Sequence, residues 1–290
     1  MKALKGKYFH LAGVISLAGP HPELGATWHP CLAPISANLT LIQKAVQECA
    51  YAGCTTIWMV CDDAMIPLVR HIVGDWVADP VWQHRPHSPS PFTESREIPI
   101  FYVPLHPDDI DRRDSMAWGI LYGALCADRV ARQLSKWVVP SRYFVSFPYS
   151  VYNFMELRKE RKQLSSRTPF CISYRGKTFL DGEHLAFTFD GAQLKALVKN
   201  FKQQNTNMFK GTTKLPRDER YSGRFYSLSE TFKIIEIEDF LKKEAEFYYK
   251  IEDWKGYCNY ISSEESVMLE ESFGAPPKSN KFNKIPKEEK

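Results

Sequence analysis

Between Ala18 and Pro34 the chain reads AGPHPELGATWHPCLAP, a loop rich in Gly, Pro and His. His29 closes the stretch and is a candidate catalytic residue, as a weak cation or a general acid. A second constellation, Asp108-Asp109-Ile110-Asp111-Arg112-Arg113-Asp114, stands just before a helical pattern that opens at Ser115. Asp114 is the other candidate catalytic group. The plainer reading makes Asp114 an N-cap worth about 1 kcal/mol. The functional reading has Arg112 and Arg113 facing a phosphate at the same helix N-terminus.

The remaining constellations have a structural reading beside the chemical one. His84-x-x-His87 has the spacing of half a metal site, but it lies in a Pro-rich excursion with no adjacent carboxylate or cysteine, and polar loop residues explain it. Arg158-Lys159-Glu160-Arg161-Lys162 is a basic run. Lys195, Lys199 and Lys202 share a helix face, with Lys210, Lys214, Arg217, Arg220 and Arg224 after them and Phe201, Phe209, Tyr221 and Phe225 interleaved. A solvated face is the simpler account and a nucleic-acid or protein partner the functional one. Tyr248, Tyr249, Trp254, Tyr257 and Tyr260 read as the packing of a C-terminal helix or as a platform for a sugar. The chain has no G-x-S-x-G, no P-loop and no H-E-x-x-H.

The elements that must position these residues follow an α/β rhythm. His10 to Leu17 is a short apolar run closed by Ala18-Gly19-Pro20, the pattern of a buried strand feeding a loop. Leu39 to Ala52 carries a helical stripe stopped by Gly53, Thr55 to Cys61 a β-rich run, and Ala64 to Val77 a second helical pattern. Prolines between Asp79 and Pro99 mark a surface excursion, after which Ile98 to Leu105 reads as a strand, Asp114 to Leu134 as a helix and Tyr143 to Phe147 as a strand. Later, Phe170 to Tyr174 and Leu185 to Phe189 read as strands, Ala192 to Gln203 as a helix, Lys210 to Arg224 as a basic loop and Glu238 to Glu246 as a charged helix. Alternating strands and helices of this kind predict a sheet with parallel pairs and helices on both faces.

Composition narrows the function classes. With 290 residues, 44% hydrophobic and 25% charged, the chain can bury a large core and is neither disordered nor fibrous. The formal charge of +4 is mostly in the last 16 residues, whose five lysines and two glutamates contribute +3. The rest is near neutral, so no uniform nucleic-acid footprint is implied, although a local patch is compatible. No apolar run reaches a membrane span and the N-terminus lacks a clean apolar signal core, which predicts a soluble, cytoplasmic protein without a membrane partner. Seven scattered cysteines without a C-x-x-C pair predict buried thiols.

Over about the first 60 residues the order of motifs resembles the sugar-1-phosphate nucleotidyltransferases. Gly13-Val14-Ile15-Ser16-Leu17-Ala18-Gly19 is similar to their first strand and loop start, and Gly25-Ala26-Thr27-Trp28 to the G-T-R of L-A-G-G-x-G-T-R. His29-Pro30-Cys31-Leu32-Ala33-Pro34-Ile35 is similar to K-P-x-x-P-I, and Ala52-Gly53-Cys54-Thr55-Thr56-Ile57-Trp58-Met59-Val60 to the strand that follows. Tyr249 to Tyr257 is weakly similar to the closing W-x-D-I-x-T-x-x-D-Y segment. The resemblance implies a three-layer α/β fold of GT-A, Rossmann-like type, with a mixed sheet flanked by helices. It implies one domain over 1–274, with a nucleotide-binding half (1–153), an acceptor or sugar half (154–274) and a flexible basic tail (275–290). It also implies nucleotide contacts from Ala18, Gly19, Gly25, Ala26, Thr27 and Ser115, and Mg²⁺ as cofactor.

Three positions depart from the pattern: Trp28 stands for Arg, His29 for Lys, and Pro148-Tyr149 for the Gly-Asp that holds the metal. Phosphoryl transfer depends on such cations and on hard carboxylate ligands. Two readings follow. In one, the protein binds or forms a nucleotide-activated sugar, with Asp62, Asp63, Asp114 or Asp253 recruited for metal or sugar. In the other, a catalytically degenerate fold serves as an interaction module for a protein or nucleic acid.

Overall fold

The computed structural model describes residues 9–83, 96–109, 113, 115–134, 139–204, 209–210, 213–214 and 227–274. The chain opens with β1 (Leu11–Ser16), six residues with every side chain buried, as expected of a strand covered on both faces. The helix α1 (Leu41–Ala52) follows. It starts at a reciprocal capping box between Thr40 and Gln43 and stops at Gly53, whose φ of 87° is the left-handed conformation glycine adopts without penalty. Next come β2 (Thr56–Cys61), α2 (Ile66–Val73), β3 (Trp76–Ala78), β4 (Glu97–Pro104), the long helix α3 (Met116–Leu134) and β5 (Arg142–Ser146). The later part holds β6 (Phe170–Ser173), β7 (Phe187–Phe189), α4 (Gly191–Gln204), β8 (Leu241–Glu244), α5 (Trp254–Ile261) and α6 (Glu264–Gly274).

Eight strands form one mixed sheet in the order β8-β6-β7-β5-β1-β2-β4-β3. The central run is parallel: β1 lies between β2 (Val14 beside Trp58) and β5 (Val14 beside Val145), and β2 pairs with β4. β7 runs antiparallel to both β5 and β6, and β3 antiparallel to β4. Alternate residues of β1 serve opposite faces. Leu11 and Ile15 join the core beneath α1, whereas Ala12 and Val14 join the one beneath α3 and α4. Sheet and helices therefore make three layers. α3 lies close over β1 and β2 because Gly119 and Gly123 present no side chain: a Cβ would sit 2.0 Å from Ser16 Oγ at the first and 2.9 Å from a Val60 methyl at the second.

Two predicted elements are corrected. The helix expected over Ala64 to Val77 ends at Val73, where Gly74 (φ 89°) turns the chain and Trp76–Ala78 pairs with Ile98 and its neighbours on β4. The charged helix expected over Glu238 to Glu246 is instead the edge strand β8, parallel to β6. Its Leu241, Lys242 and Glu244 are exposed, and charges on an outer strand deter a further strand from adding there. The expected basic loop also contains a short hairpin, Phe209–Lys210 against Thr213–Lys214. His84, His87, Asp111, Arg112, Asp114, Arg217, Arg220, Arg224 and the C-terminal lysines lie outside the described residues.

Candidate functional site

The winding of the sheet sets where the candidate residues lie. From β1 the chain moves outward through β2 and β4, then crosses back over the sheet in α3 to place β5 on the other side of β1. At such a reversal the loops leaving two adjacent parallel strands diverge and open a crevice at their carboxyl ends. Here those loops are Leu17 onward from β1 and Phe147-Pro148-Tyr149 from β5.

The β1 loop is seated on α3. Gly19 has φ 88°, and a Cβ there would lie 2.8 Å from the Met116 amide nitrogen and 2.9 Å from Ser115 Cα, so only glycine allows this contact. Ala18 is buried, and its amide donates to Ser16 Oγ (3.3 Å). Ser115 is buried and acts as the cap of α3, its Oγ accepting from the Trp118 amide at 3.2 Å. Arg113 pairs with Asp109 (3.3 Å) and lies over the Trp118 ring, while Trp118 Nε1 donates to Asp109 (3.0 Å). Further along, Gly25 holds φ 63° with nothing near its missing Cβ, Ala26 is half-buried and Thr27 is exposed. Trp28 keeps 41% of its surface exposed.

His29 caps the short turn Pro30–Leu32: its Nδ1 accepts from the Cys31 amide (3.3 Å) and lies 3.0 Å from Cys31 Sγ. Its ring meets His21 edge-on at 4.2 Å, and His21 Nδ1 is 3.2 Å from the Tyr149 hydroxyl. Burial, helped by His21, pushes the His29 imidazole down to about 4, which leaves it neutral near pH 7. Burial, with Cys61 adding to it, pushes the Cys31 thiol up to about 12, and burial followed by Cys31 raises the Tyr149 phenol well above its ordinary range. His29 and Tyr149 are thus uncharged near neutral pH. Further along the loop, Glu23 bridges to Asp253, its amide donating to the Glu252 carbonyl (3.3 Å).

Three side chains that periodicity did not single out support the β5 turn. Lys44 and Glu48, both fully buried in α1, pair at 2.9 Å. Lys44 also donates to the Phe147 carbonyl at 2.9 Å, and the Tyr152 hydroxyl donates to Glu48. Their i, i+4 spacing inside an apolar stripe was the available sequence signal. His184 stacks on Phe147 (5.2 Å, 8°), and burial followed by Lys250 holds it down to about 3.

No family model matches the chain, and no curated protein matches it in sequence. Among solved structures, a Bacillus anthracis protein described as a glucose-1-phosphate thymidylyltransferase, in complex with a sucrose, superposes with a TM-score of 0.52 at 9% identity. The match covers 90% of this chain and 95% of that one. This chain has a nucleotidyltransferase-like fold. Two further likenesses are a nucleoside-diphosphate-sugar pyrophosphorylase from Vibrio cholerae (TM-score 0.49, 9% identity, 87% of this chain and 100% of that one) and a 4-diphosphocytidyl-2C-methyl-D-erythritol synthase from Anaerococcus prevotii (0.44, 11%, 92% and 97%).

The nucleotidyltransferase-like fold carries an expectation of Mg²⁺, and the described residues do not fit that ion. Tyr149 stands at the expected carboxylate, protonated and beside His21. Asp253 accepts from the Gly256 amide at 2.7 Å as the cap of α5, and the exposed Asp62 and Asp63 lie at the end of β2. Among the described residues no three His, Cys, Asp or Glu side chains gather closely enough to hold a metal ion. Nor is any helix among them long and apolar enough to cross a membrane.

Proposed function

We propose that the protein binds a nucleotide or nucleotide sugar in the crevice between the carboxyl ends of β1 and β5. The observation that carries this reading is the Ala18-Gly19 turn, pressed by a left-handed glycine onto the first residues of α3 at the point where the sheet reverses its winding. In this reading the segment from Gly25 to Trp28, exposed at Gly25, Thr27 and Trp28, forms the outer wall and offers its amides to a ligand's oxygens. Ala18, Gly19, Gly25, Ala26, Thr27 and Ser115 line the approach in this reading. His29, neutral and tied to Cys31, shapes the loop and supplies no cation.

The test is a thermal-shift series with nucleoside triphosphates and nucleotide sugars, with and without Mg²⁺. A ligand at 100 times its Kd stabilises the native state by about 2.7 kcal/mol. Gly25→Val places a branched side chain at a positive φ in open space, so it strains the loop by about 1–2 kcal/mol without a clash. The variant is expected to stay folded and to lose most of the ligand-induced shift. No shift of the unaltered protein with any member of the series overturns the proposal. A second reading draws on the exposed Lys195, Lys199 and Lys202 on one face of α4, which suit an acidic macromolecular partner. Binding of that kind is expected to weaken steeply with salt.

A further inference from the structure

Resting on the binding reading above, the geometry points to a site that recognises its ligand by the ring-bearing part, nucleoside or sugar, with the phosphates adding little and Mg²⁺ adding nothing. The cluster at the crevice is made of rings: His21 against His29 at 4.2 Å, His21 against Tyr149 at 6.2 Å between centroids, and Trp28, next in the chain, 41% exposed at the loop. An indole with that much free surface stacks on a base or on the apolar face of a sugar, and such stacking tolerates either.

The charges point the same way. A triphosphate needs cations or a metal ion at its oxygens, and Lys or Arg at this loop would supply them. Instead the loop bears Glu23, bridged to Asp253, and the segment it pairs with carries Glu252. Lys250, on that same segment, is engaged by Glu252 (2.7 Å) and by the Gly182 carbonyl (3.1 Å). Arg113, the described cation nearest the start of α3 in sequence, is held by Asp109. His29 stays neutral through the physiological range. Among the described residues named here, a polyanion would thus meet carboxylates and cations already held by carboxylates, whereas the uncharged part of a ligand finds the exposed indole of Trp28.

The experiment is isothermal titration of the full chain with each of the four nucleosides and with its 5′-mono-, di- and triphosphate, with and without Mg²⁺. For the bases that bind, the dissociation constants are expected to differ by less than about tenfold from nucleoside to triphosphate, and to be insensitive to Mg²⁺. Trp28→Ala is expected to weaken every member of the series by about tenfold or more, while Trp28→Phe keeps a ring and loses less than that. An affinity that climbs about tenfold or more with phosphate number, or that requires Mg²⁺, overturns the inference while leaving the binding reading standing. A Trp28→Ala loss smaller than about tenfold, or one confined to the phosphorylated members, overturns it as well. A chain that binds no member, and shows no thermal shift with nucleotide sugars, overturns the binding reading itself.

Discussion

His29 and Tyr149 show how little a residue's type says about its charge once it is packed. His29 was recognisable from its place before Pro30 as a residue worth weighing, yet its neutrality comes from burial and from His21. This has a pH consequence. The unfolded chain takes up a proton on His29 near the ordinary value of 6.5, whereas the folded chain resists until about 4, so the unfolded state binds more protons across that interval. Stability is therefore expected to be intact above pH 6.5 and to decline as pH falls toward 4, with His184, held down to about 3, extending the decline. Urea midpoints followed by tryptophan fluorescence at constant m-value are the check. His29→Asn, which retains an acceptor for the Cys31 amide, is expected to flatten part of the slope, reduced because His29 is only partly buried. A midpoint that rises between pH 6.5 and 4 contradicts the assignment.

At the scale of the element, α1 is the best-anchored helix at both ends. Thr40 and Gln43 close its start, and its last carbonyls are met by Arg161, which donates from Nε to the Tyr51 carbonyl (2.9 Å) and also to the Ala50 carbonyl. The same guanidinium forks onto the fully buried Asp79 at 3.0 and 2.6 Å. Removing Arg161 leaves the buried Asp79 with only the longer ion pair to Arg96 (3.6 Å), so Arg161→Ala is expected to cost about 3 kcal/mol, against about 1 kcal/mol for Thr40→Ala. Chemical denaturation of both variants measures the pair, and equal losses would refute the role given to Arg161. Element type was legible wherever apolar spacing was strong, as in β1, α1 and β2. It failed at Trp76–Ala78 and Leu241–Glu244, both at the margins of the sheet, where strand pairing outweighs a short, mixed pattern.

For the whole molecule, the three layers decide which chemistry is reachable from solvent. Cys31, Cys49, Cys54, Cys61 and Cys171 are buried, Cys126 is half-buried and Cys258 is exposed, and all seven are free thiols. Burial raises Cys31, Cys61 and Cys171 to about 12, and the thiolate is the reactive form. Alkylation of the native protein near neutral pH is expected to modify Cys258 quickly and Cys126 slowly, and to reach the other five only after unfolding. Peptide mass spectrometry over time gives the order. Rapid labelling of Cys31 or Cys61 would mean that the crevice side of the molecule opens more readily than its packing implies.

The composition, the alternation of strand and helix, the glycine loop after the first strand and the burial of most cysteines were set by local pattern, because apolar period and turn chemistry act over a few residues. Tertiary structure alone decided the rest. Tyr149 reaches His21 across 128 positions and Lys44 reaches the Phe147 carbonyl across 103, contacts that no spacing in the chain encodes. The neutrality of His29 was decided there too, since it depends on which groups burial strips of water once distant segments are packed together.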